Sequence, residues 1–211
     1  MERITLKSEN IAEAAQKAAE VLRSGGVVLY PTDTLYGLGA DALSDEAVAK
    51  IFDIKGRDEG KPMHAIVADV DMAAKYTEVS GIARLLNDRL PKGQVTFITQ
   101  KKEGLDEGIS KQIETFGFRI PQHAFCIEMI RAFGGPITAT SANASGKKPE
   151  RSVPAILAQL GSDSAPIDLI IDGGELPARE PSTVINLTHS HPLIVREGAM
   201  PASDVWSALQ D

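Results

Sequence analysis

The sequence predicts a mixed α/β fold: one domain over residues 1–211, in which helices flank a large, twisted, mixed β-sheet. Two observations support this prediction. The chain has 211 residues, of which 43% are hydrophobic and 24% charged, and this length and composition are typical of one globular domain. Short apolar segments typical of strands also alternate with helical patterns along the whole chain, without an internal repeat or a low-complexity linker.

The elements near the N-terminus have distinct signals. Residues 11–22 place apolar side chains on one helical face, and Gly25 and Gly26 offer a stop after them. The run VVLY at 27–30 is short and apolar, which is typical of a strand buried on both faces of a sheet. Ser44 is a predicted N-cap for a second helix. A helix, a strand and a further helix are therefore expected in this order.

The rest of the chain continues this alternation. Segments rich in β-branched and aromatic residues predict strands at 65–68, 95–99, 116–120, 136–140, 167–172, 183–187 and 193–195. Helical patterns predict helices at 82–90, 122–133, 153–160 and 203–209. The segment GKKPERS at 146–152 combines charge, glycine and proline, and it predicts a mobile surface loop.

Charge and cysteine content limit the classes of function. The formal net charge of -7 at pH 7 opposes a broad electrostatic contact with nucleic-acid phosphates, so direct RNA binding is expected to be weak. The single cysteine, Cys126, leaves no partner for an intramolecular disulfide, which is typical of a reducing compartment. Because no signal-peptide pattern and no run of about 18 apolar residues is visible, we expect a cytoplasmic protein without a membrane span.

A first candidate ligand-binding segment is PTDTLYGLG at 31–39, which directly follows the first predicted strand. It supplies hydroxyls, a carboxylate and two glycines that would let a ligand approach the backbone. The alternative is a turn in which Thr32 and Thr34 satisfy backbone groups while Gly37 and Gly39 adopt unusual dihedral angles. The residues alone favour neither interpretation. The segment lacks the GK[ST] ending of a P-loop.

A second candidate is KGRDEGK, in which one residue separates Lys55 from Arg57 at the end of a predicted helix and Lys61 follows. The compact charge of lysine beside the planar fork of arginine is suited to a polyphosphate. The alternative is a solvated, charged loop, because cations are favoured at a helix C-terminus in any case. Without further context this alternative is the stronger one.

A third candidate is TATSANASG at 138–146, where a predicted strand ends in small polar residues. Ligands in open α/β sheets tend to bind at the carboxyl ends of strands, and Ser141 and Asn143 offer hydrogen bonds to a phosphate, ribose or base. The alternative is a serine or Asx turn that closes the strand. No G-x-S-x-G pattern is present, so Ser141 is not predicted to be a covalent nucleophile.

Two arginines on predicted strands complete the candidates. Arg119 alternates with apolar neighbours and so faces the other side of its sheet, where it could line an anion pocket. Arg196 ends the last strand and Ser182 precedes another, and both ends could face one groove. The alternative for Arg196 is an ordinary surface ion pair with Glu197. The four histidines and the single cysteine match no metal-binding motif, so no protein metal site is predicted.

Five motifs follow one another in an order that resembles one family. PTDTLYGLGADAL, IFDIKGR, FRIPQH, ITATSANASG and EPSTVINLT with IVREG are similar to the successive motifs of the Sua5/YciO/YrdC family, over nearly the whole chain. The pairs Lys55/Arg57 and Ser141/Asn143 resemble those of the threonylcarbamoyl-adenylate synthases of this family. The resemblance implies a twisted α/β sheet with an open concave groove for ATP, L-threonine and bicarbonate, with Mg²⁺ accompanying ATP.

The resemblance also implies roles for single residues. Nucleotide contacts would come from Lys55, Arg57, Thr96, Ser141, Asn143 and Arg196, and L-threonine contacts from Thr32, Arg119 and Ser182. Lys55 and Arg57 would matter most for catalysis. The implied enzyme is a nucleotidyltransferase that forms threonylcarbamoyl-AMP and pyrophosphate, and a separate threonylcarbamoyl-transferring machinery would deliver the product to tRNA to make the t6A modification.

The chain departs from the family pattern at two places. PKGQVT stands where the family often has a PGPLT-like turn, and it adds Lys92 and Gln94 beside the implied nucleotide site. KKPERS at 147–152 stands where many members continue into Ser-Pro-Thr, so no hydroxyl contact is expected from it. Three alternatives stay open: a YciO-like member with a different role, a noncatalytic nucleotide- or RNA-binding module, and carbamoyl transfer to another acceptor.

Overall fold

Eleven β-strands and seven α-helices form the part of the chain that the computed structural model describes, which is residues 1–56, 62–161 and 166–210. The strands are β1 (Glu2–Thr5), β2 (Val28–Pro31), β3 (Tyr36–Gly39), β4 (His64–Ile66), β5 (Val95–Gln100), β6 (Thr115–Arg119), β7 (Ile137–Thr138), β8 (Thr140–Ser141), β9 (Leu169–Asp172), β10 (Thr183–Asn186) and β11 (Leu193–Arg196). The helices are α1 (Ile11–Arg23), α2 (Asp45–Lys55), α3 (Val70–Ala73), α4 (Gly81–Arg89), α5 (Ala124–Phe133), α6 (Val153–Leu160) and α7 (Ala202–Ser207).

The strands form two mixed sheets, with the orders β1-β9-β2-β3-β8 and β11-β10-β5-β6-β4-β7. The predicted mixed α/β class is confirmed, but the strands are shared between two sheets instead of one. The segment predicted as a single strand at 136–140 shows how this happens. It divides at Ala139, so that β7 pairs with β4 of the second sheet and β8 pairs with β3 of the first.

Most predicted elements are confirmed, and the helix predicted at 153–160 has the bounds of α6. The predicted cap is also confirmed, because the Ser44 hydroxyl accepts a hydrogen bond from the Ala47 N–H at 3.2 Å. Three elements were not predicted: β1, β3 and α3. The strand β1 has largely exposed residues, and β3 contains two glycines, so neither has the apolar pattern by which strands are recognised.

Gly37 and Gly39 are required by the Tyr30 ring. A Cβ on Gly37 would lie 3.0 Å from Tyr30 Cζ, and a Cβ on Gly39 would lie 2.7 Å from Tyr30 Cε1. Neither glycine is among those with a positive φ. The prediction that they supply unusual dihedral angles is therefore wrong, and their role is to let a buried aromatic ring lie against the β3 backbone.

Two apolar clusters hold the layers together. Alanines of α1 pack against α5, where Cys126 is fully buried. Burial raises the pKa of its thiol. The larger cluster joins both sheets, since Leu29 of the first and Phe97 of the second belong to it.

The assignment of residues 1–211 to one domain stays a prediction. None of the helices in the described ranges is long and apolar enough to cross a bilayer.

Candidate active site

Strands of both sheets line a groove with a volume of about 910 Å³. The groove brings together seven of the nine residues that the sequence predicts for the site: Thr32, Thr96, Arg119, Ser141, Asn143, Ser182 and Arg196. These residues come from six separate segments of the chain. The groove agrees in shape with the open concave site that the resemblance implies.

Positive charge dominates this groove, although the whole chain carries a net charge of -7. Among the described residues, the ionised side chains that line it are one carboxylate, Glu180, and six cations: Arg119, Lys147, Lys148, Arg151, Arg179 and Arg196. A concave site lined by one sign of charge concentrates ligands of the opposite sign. The groove is therefore suited to an anionic ligand.

The segment between β2 and β3 forms a turn that Thr32 closes. The Thr32 hydroxyl donates a hydrogen bond to the Leu35 carbonyl at 2.7 Å and accepts from the N–H groups of Thr34 at 3.0 Å and Leu35 at 3.2 Å. The two interpretations of this segment are thus compatible, because Thr32 stabilises the turn and also lines the groove.

Arg119, at the end of β6, forms a buried cluster with the same turn. Its Nη2 lies 2.6 Å from Asp33 Oδ1, and its Nη1 donates to the Thr34 hydroxyl at 2.8 Å. The side chains of the ion pair are only 11% and 9% exposed. The Nε–H of Arg119 is buried and has no hydrogen-bond partner among the described residues. A guanidinium has five N–H donors, so Arg119, which lines the groove, keeps donors beyond the two that Thr34 and Asp33 accept.

Thr96, Ser182 and Arg196 form a second polar group in the groove. The Thr96 and Ser182 hydroxyl oxygens lie 2.7 Å apart, and Arg196 Nη2 donates to the Ser182 carbonyl at 2.7 Å. Strand register produces this arrangement, because Val184 of β10 pairs with Thr96 on one side and with Arg196 on the other. The predicted meeting of the Ser182 and Arg196 ends in one groove is confirmed.

Arg119 acts electrostatically on Arg196, another of the arginines that line the groove. Burial lowers the pKa of Arg196, and the charge of Arg119 lowers it further. Arg196 does not form the predicted alternative, a surface ion pair with Glu197. Among the described residues, its guanidinium donates to the Ser182 carbonyl instead. Two cations that destabilise each other would gain from a bound anion, since a negative charge between them offsets both the burial and the repulsion.

Lys55 lies beneath the segment that carries Ser141 and Asn143. Its buried ammonium group donates to the Ser141 carbonyl and, at 2.8 Å, to the Asn143 carbonyl. The Lys55 carbonyl in turn accepts from the Ser145 N–H at 2.8 Å. The Ser141 hydroxyl donates to the Asn143 side chain. Lys55 therefore supports the backbone of this segment instead of lying in a solvated loop.

The contacts that the resemblance implies for Lys55 and Arg57 stay predictions. Lys55 is not among the residues that line the groove, although the groups it holds are. Arg57 and Lys61 belong to residues 57–61, outside the described part of the chain. The individual ligand roles of the seven residues in the groove also stay predictions.

Several residues of the groove were not predicted. Asp33 orients Arg119, while Lys147, Lys148, Arg151 and Arg179 line the walls. For the segment 146–152, the sequence predicts only a mobile surface loop. The density of basic residues in KKPER, directly after SANASG, is a signal that could have placed it at the site.

In the described part of the chain, the groove provides no carboxylate cage for a metal ion. Among the described residues, no group of three or more histidine, cysteine, aspartate or glutamate side chains could hold a metal, and Glu180 is the one carboxylate side chain of the described part that lines the groove. Mg²⁺ is commonly bound by substrate phosphates and its own waters together with few protein ligands. A magnesium ion that arrives with the nucleotide stays a prediction. His189 and His191 lie in the β10–β11 hairpin connection.

Known proteins share both the sequence pattern and this fold. The model of the Sua5/YciO/YrdC family, described as telomere recombination, matches residues 20–198. A threonylcarbamoyl-AMP synthase from Mus musculus is 37% identical over 183 residues, which cover 83% of this chain and 63% of the mouse protein. This chain thus spans less than two thirds of that relative's length.

Two solved structures extend the comparison. The crystal structure of P. abyssi Sua5 complexed with L-threonine has a TM-score of 0.86 and 32% identity, over 99% of this chain and 60% of that one. The crystal structure of E. coli YciO has a TM-score of 0.79 and 28% identity, over 97% of both chains. The family model, the relatives and the shared fold agree: the chain belongs to the Sua5/YciO/YrdC family.

Proposed function

We propose that this chain is an L-threonylcarbamoyladenylate synthase, a nucleotidyltransferase that converts L-threonine, bicarbonate and ATP into threonylcarbamoyl-AMP and pyrophosphate. One observation carries the proposal. A single groove contains the three residues expected to bind threonine and four of the six expected to bind the nucleotide, and the two sets meet where the Thr96 and Ser182 hydroxyls lie 2.7 Å apart. Two substrates bound on either side of this pair would be brought together.

The Arg119 cluster is suited to the amino acid. A guanidinium that Asp33 and Thr34 hold beside the groove presents its further N–H donors in fixed directions, and a carboxylate is the natural partner for such donors. The relative that was crystallised with L-threonine supports threonine as the ligand. Thr32 and Ser182 would complete this side of the groove.

The segment around Ser141 and Asn143 is suited to the nucleotide. It presents a hydroxyl and an amide at the end of β8, with the Lys55 ammonium group beneath. Arg196 faces the same groove, and Arg57 is expected to add a further cation. Mg²⁺, bound to the ATP phosphates, would reduce the repulsion between the triphosphate and an incoming anion.

The chemistry requires positioning more than covalent catalysis. The threonine amine and bicarbonate form a carbamate with loss of water. A carbamate oxygen then attacks the α-phosphorus of ATP, the bond from that phosphorus to the bridging oxygen breaks, and pyrophosphate leaves. Fixed cations stabilise the charge that develops on the phosphates, and orientation of both reactants supplies much of the rate enhancement.

The decisive experiment measures pyrophosphate release from MgATP and bicarbonate by the purified chain, with L-threonine and with L-serine. Threonine-dependent release, together with threonylcarbamoyl-AMP as the product, is the expected result. If the protein binds ATP but releases no pyrophosphate with threonine, the synthase proposal fails. A YciO-like role would then be favoured, because the match covers 97% of the YciO chain but only 60% of the Sua5 chain.

Delivery to tRNA lies beyond this reaction. We propose that a separate machinery transfers the threonylcarbamoyl group to tRNA and so makes the t6A modification. Direct tRNA binding by this chain is expected to be weak because its net charge is negative. The cytoplasmic location also stays a prediction.

A further inference from the structure

Two of the six cations of the groove, Lys147 and Lys148, differ from the others. Both are exposed, and neither ammonium group has a hydrogen-bond or ion-pair partner among the described residues. The other four each have a partner: Arg119 with Asp33 at 2.6 Å, Arg151 with Glu175 at 2.7 Å, Arg179 with the Asp33 carbonyl at 2.7 Å and Arg196 with the Ser182 carbonyl at 2.7 Å. The charges of the two lysines are thus available to a ligand.

The backbone of these two lysines is nevertheless fixed. The Asn143 amide donates to the Lys147 carbonyl at 2.9 Å. The Gln159 side chain, from α6, donates to the Lys148 carbonyl at 2.9 Å and accepts from the Ala144 N–H at 3.0 Å. A carboxamide supplies the donor and the acceptor that these two contacts need. Gln159 therefore connects the two ends of the segment that carries the lysines.

We propose that Lys147 and Lys148 form a subsite for condensed phosphate, the chemical class of pyrophosphate and of the terminal phosphates of a nucleoside triphosphate, and that Gln159 is a positioning residue for it. Two consecutive lysines that both line the groove offer two compact charges to an anion that carries charge on both phosphate groups. Fixing their backbone before binding reduces the entropy lost on binding.

The identity of the anion follows from the surroundings. The lysines line the same groove as Ser141 and Asn143, so their ligand is a group that enters this groove with the nucleotide. Extended RNA is disfavoured because the chain as a whole repels it. The link to a departing pyrophosphate depends on the proposed function: when the bond to the α-phosphorus breaks, its electron pair remains on the pyrophosphate oxygen, and the lysines neutralise that charge.

Pyrophosphate binding by the full chain tests the subsite. Calorimetry with sodium pyrophosphate, in the absence of threonine, bicarbonate and magnesium, compares wild type with the double variant Lys147→Gln, Lys148→Gln. The control is Lys75→Gln, Lys102→Gln, which removes two exposed lysines that do not line the groove. We expect the double lysine variant to bind pyrophosphate roughly tenfold more weakly, with an affinity that depends less steeply on salt concentration. Its affinity for AMP should change less than about twofold. The control should resemble wild type.

A third variant, Gln159→Met, tests the positioning role without a change of charge. We expect pyrophosphate affinity to fall about threefold or more while its salt dependence stays that of wild type, because both lysines are still present. Wild-type pyrophosphate affinity in the lysine variant would overturn the subsite, as would equal losses in the control. Loss of RNA affinity with unchanged pyrophosphate affinity would overturn it as well. Since no turnover is measured, a failure of the synthase reaction would not change these results.

Discussion

The two walls of the groove hold their cations in opposite ways. On one wall, Arg119 is buried and paired with Asp33 and Thr34. On the other, Lys147 and Lys148 are exposed and have no partner in the described part of the chain, although their backbone is fixed. We call these the paired wall and the open wall.

Burial explains this difference. A charge removed from water must be compensated within the protein, so the paired wall contains its own carboxylate and is already neutral before a ligand arrives. Exposed lysines keep their hydration and need no compensation. The paired wall is therefore suited to orient a small substrate, and the open wall to attract and release a highly charged one.

The largest expected effect concerns the paired wall. Asp33→Asn leaves the buried Arg119 guanidinium without a counter-ion, and we expect it to lower the free energy of unfolding by about 3 kcal/mol. Urea unfolding measures this change. Lys147→Gln, on the open wall, should change the stability by less than about 0.5 kcal/mol. If the two variants were equally stable, the distinction between the walls would be wrong.

The next effect concerns the support beneath the segment with Ser141 and Asn143. Lys55→Ala removes the donor to two carbonyls of this segment and a predicted phosphate contact. We expect threonylcarbamoyl-AMP formation to fall more than about tenfold, which corresponds to about 1.4 kcal/mol. The same loss is expected for Arg57→Ala.

A matched control for Lys55 is Lys50→Ala. Lys50 lies in the same helix and donates to the Gly25 carbonyl at 2.6 Å, away from the groove. Its rate of product formation should stay within about twofold of wild type. Unchanged turnover in Lys55→Ala would remove this residue from the site.

A smaller effect separates the two substrates. Ser141→Ala removes one hydroxyl from the nucleotide side, and we expect nucleotide affinity to fall about fivefold, or about 1 kcal/mol, with threonine affinity unchanged. Equilibrium binding of each substrate measures this. Ser145→Ala, on an exposed residue of the same segment, is the control. A weakened threonine affinity in Ser141→Ala would show that the two sides of the groove are not separate.

The smallest effect is a dependence of stability on pH. Burial raises the pKa of Tyr36 from 10.0 to about 12, and its hydroxyl donates to the Gly174 carbonyl at 2.7 Å. Between these pH values the unfolded chain loses the phenol proton and the folded chain keeps it, so stability falls as the pH rises from 10 towards 12.

Tyr36→Phe isolates this contribution, because phenylalanine does not ionise. Urea midpoints measured at about pH 9 and about pH 11.5 should differ less in the variant than in wild type. An equal difference in both proteins would show that the raised pKa of Tyr36 does not contribute to the alkaline loss of stability.

The sequence predicted regular elements well where the pattern was local. The helix at 153–160 and the cap at Ser44 depend on periodicity and on one hydroxyl near a helix start, and both were found. It failed where a distant contact decides the structure. Gly37 and Gly39 lie in a strand that pairs with β2 and β8, with the Tyr30 ring against them, and no local pattern shows this.

The order of the motifs in the sequence predicted the family. Positions within a motif or a strand predicted Arg119, Ser141 and Arg196 as site residues, and the groove contains all three. Only the tertiary structure decided which of these groups are paired and which are open. Asp33 and Arg119 are 86 residues apart in the sequence, and Gln159 donates to the Lys148 carbonyl from helix α6. Partnership and burial depend on long-range packing, and these two properties determine how strongly each charge can act on a ligand.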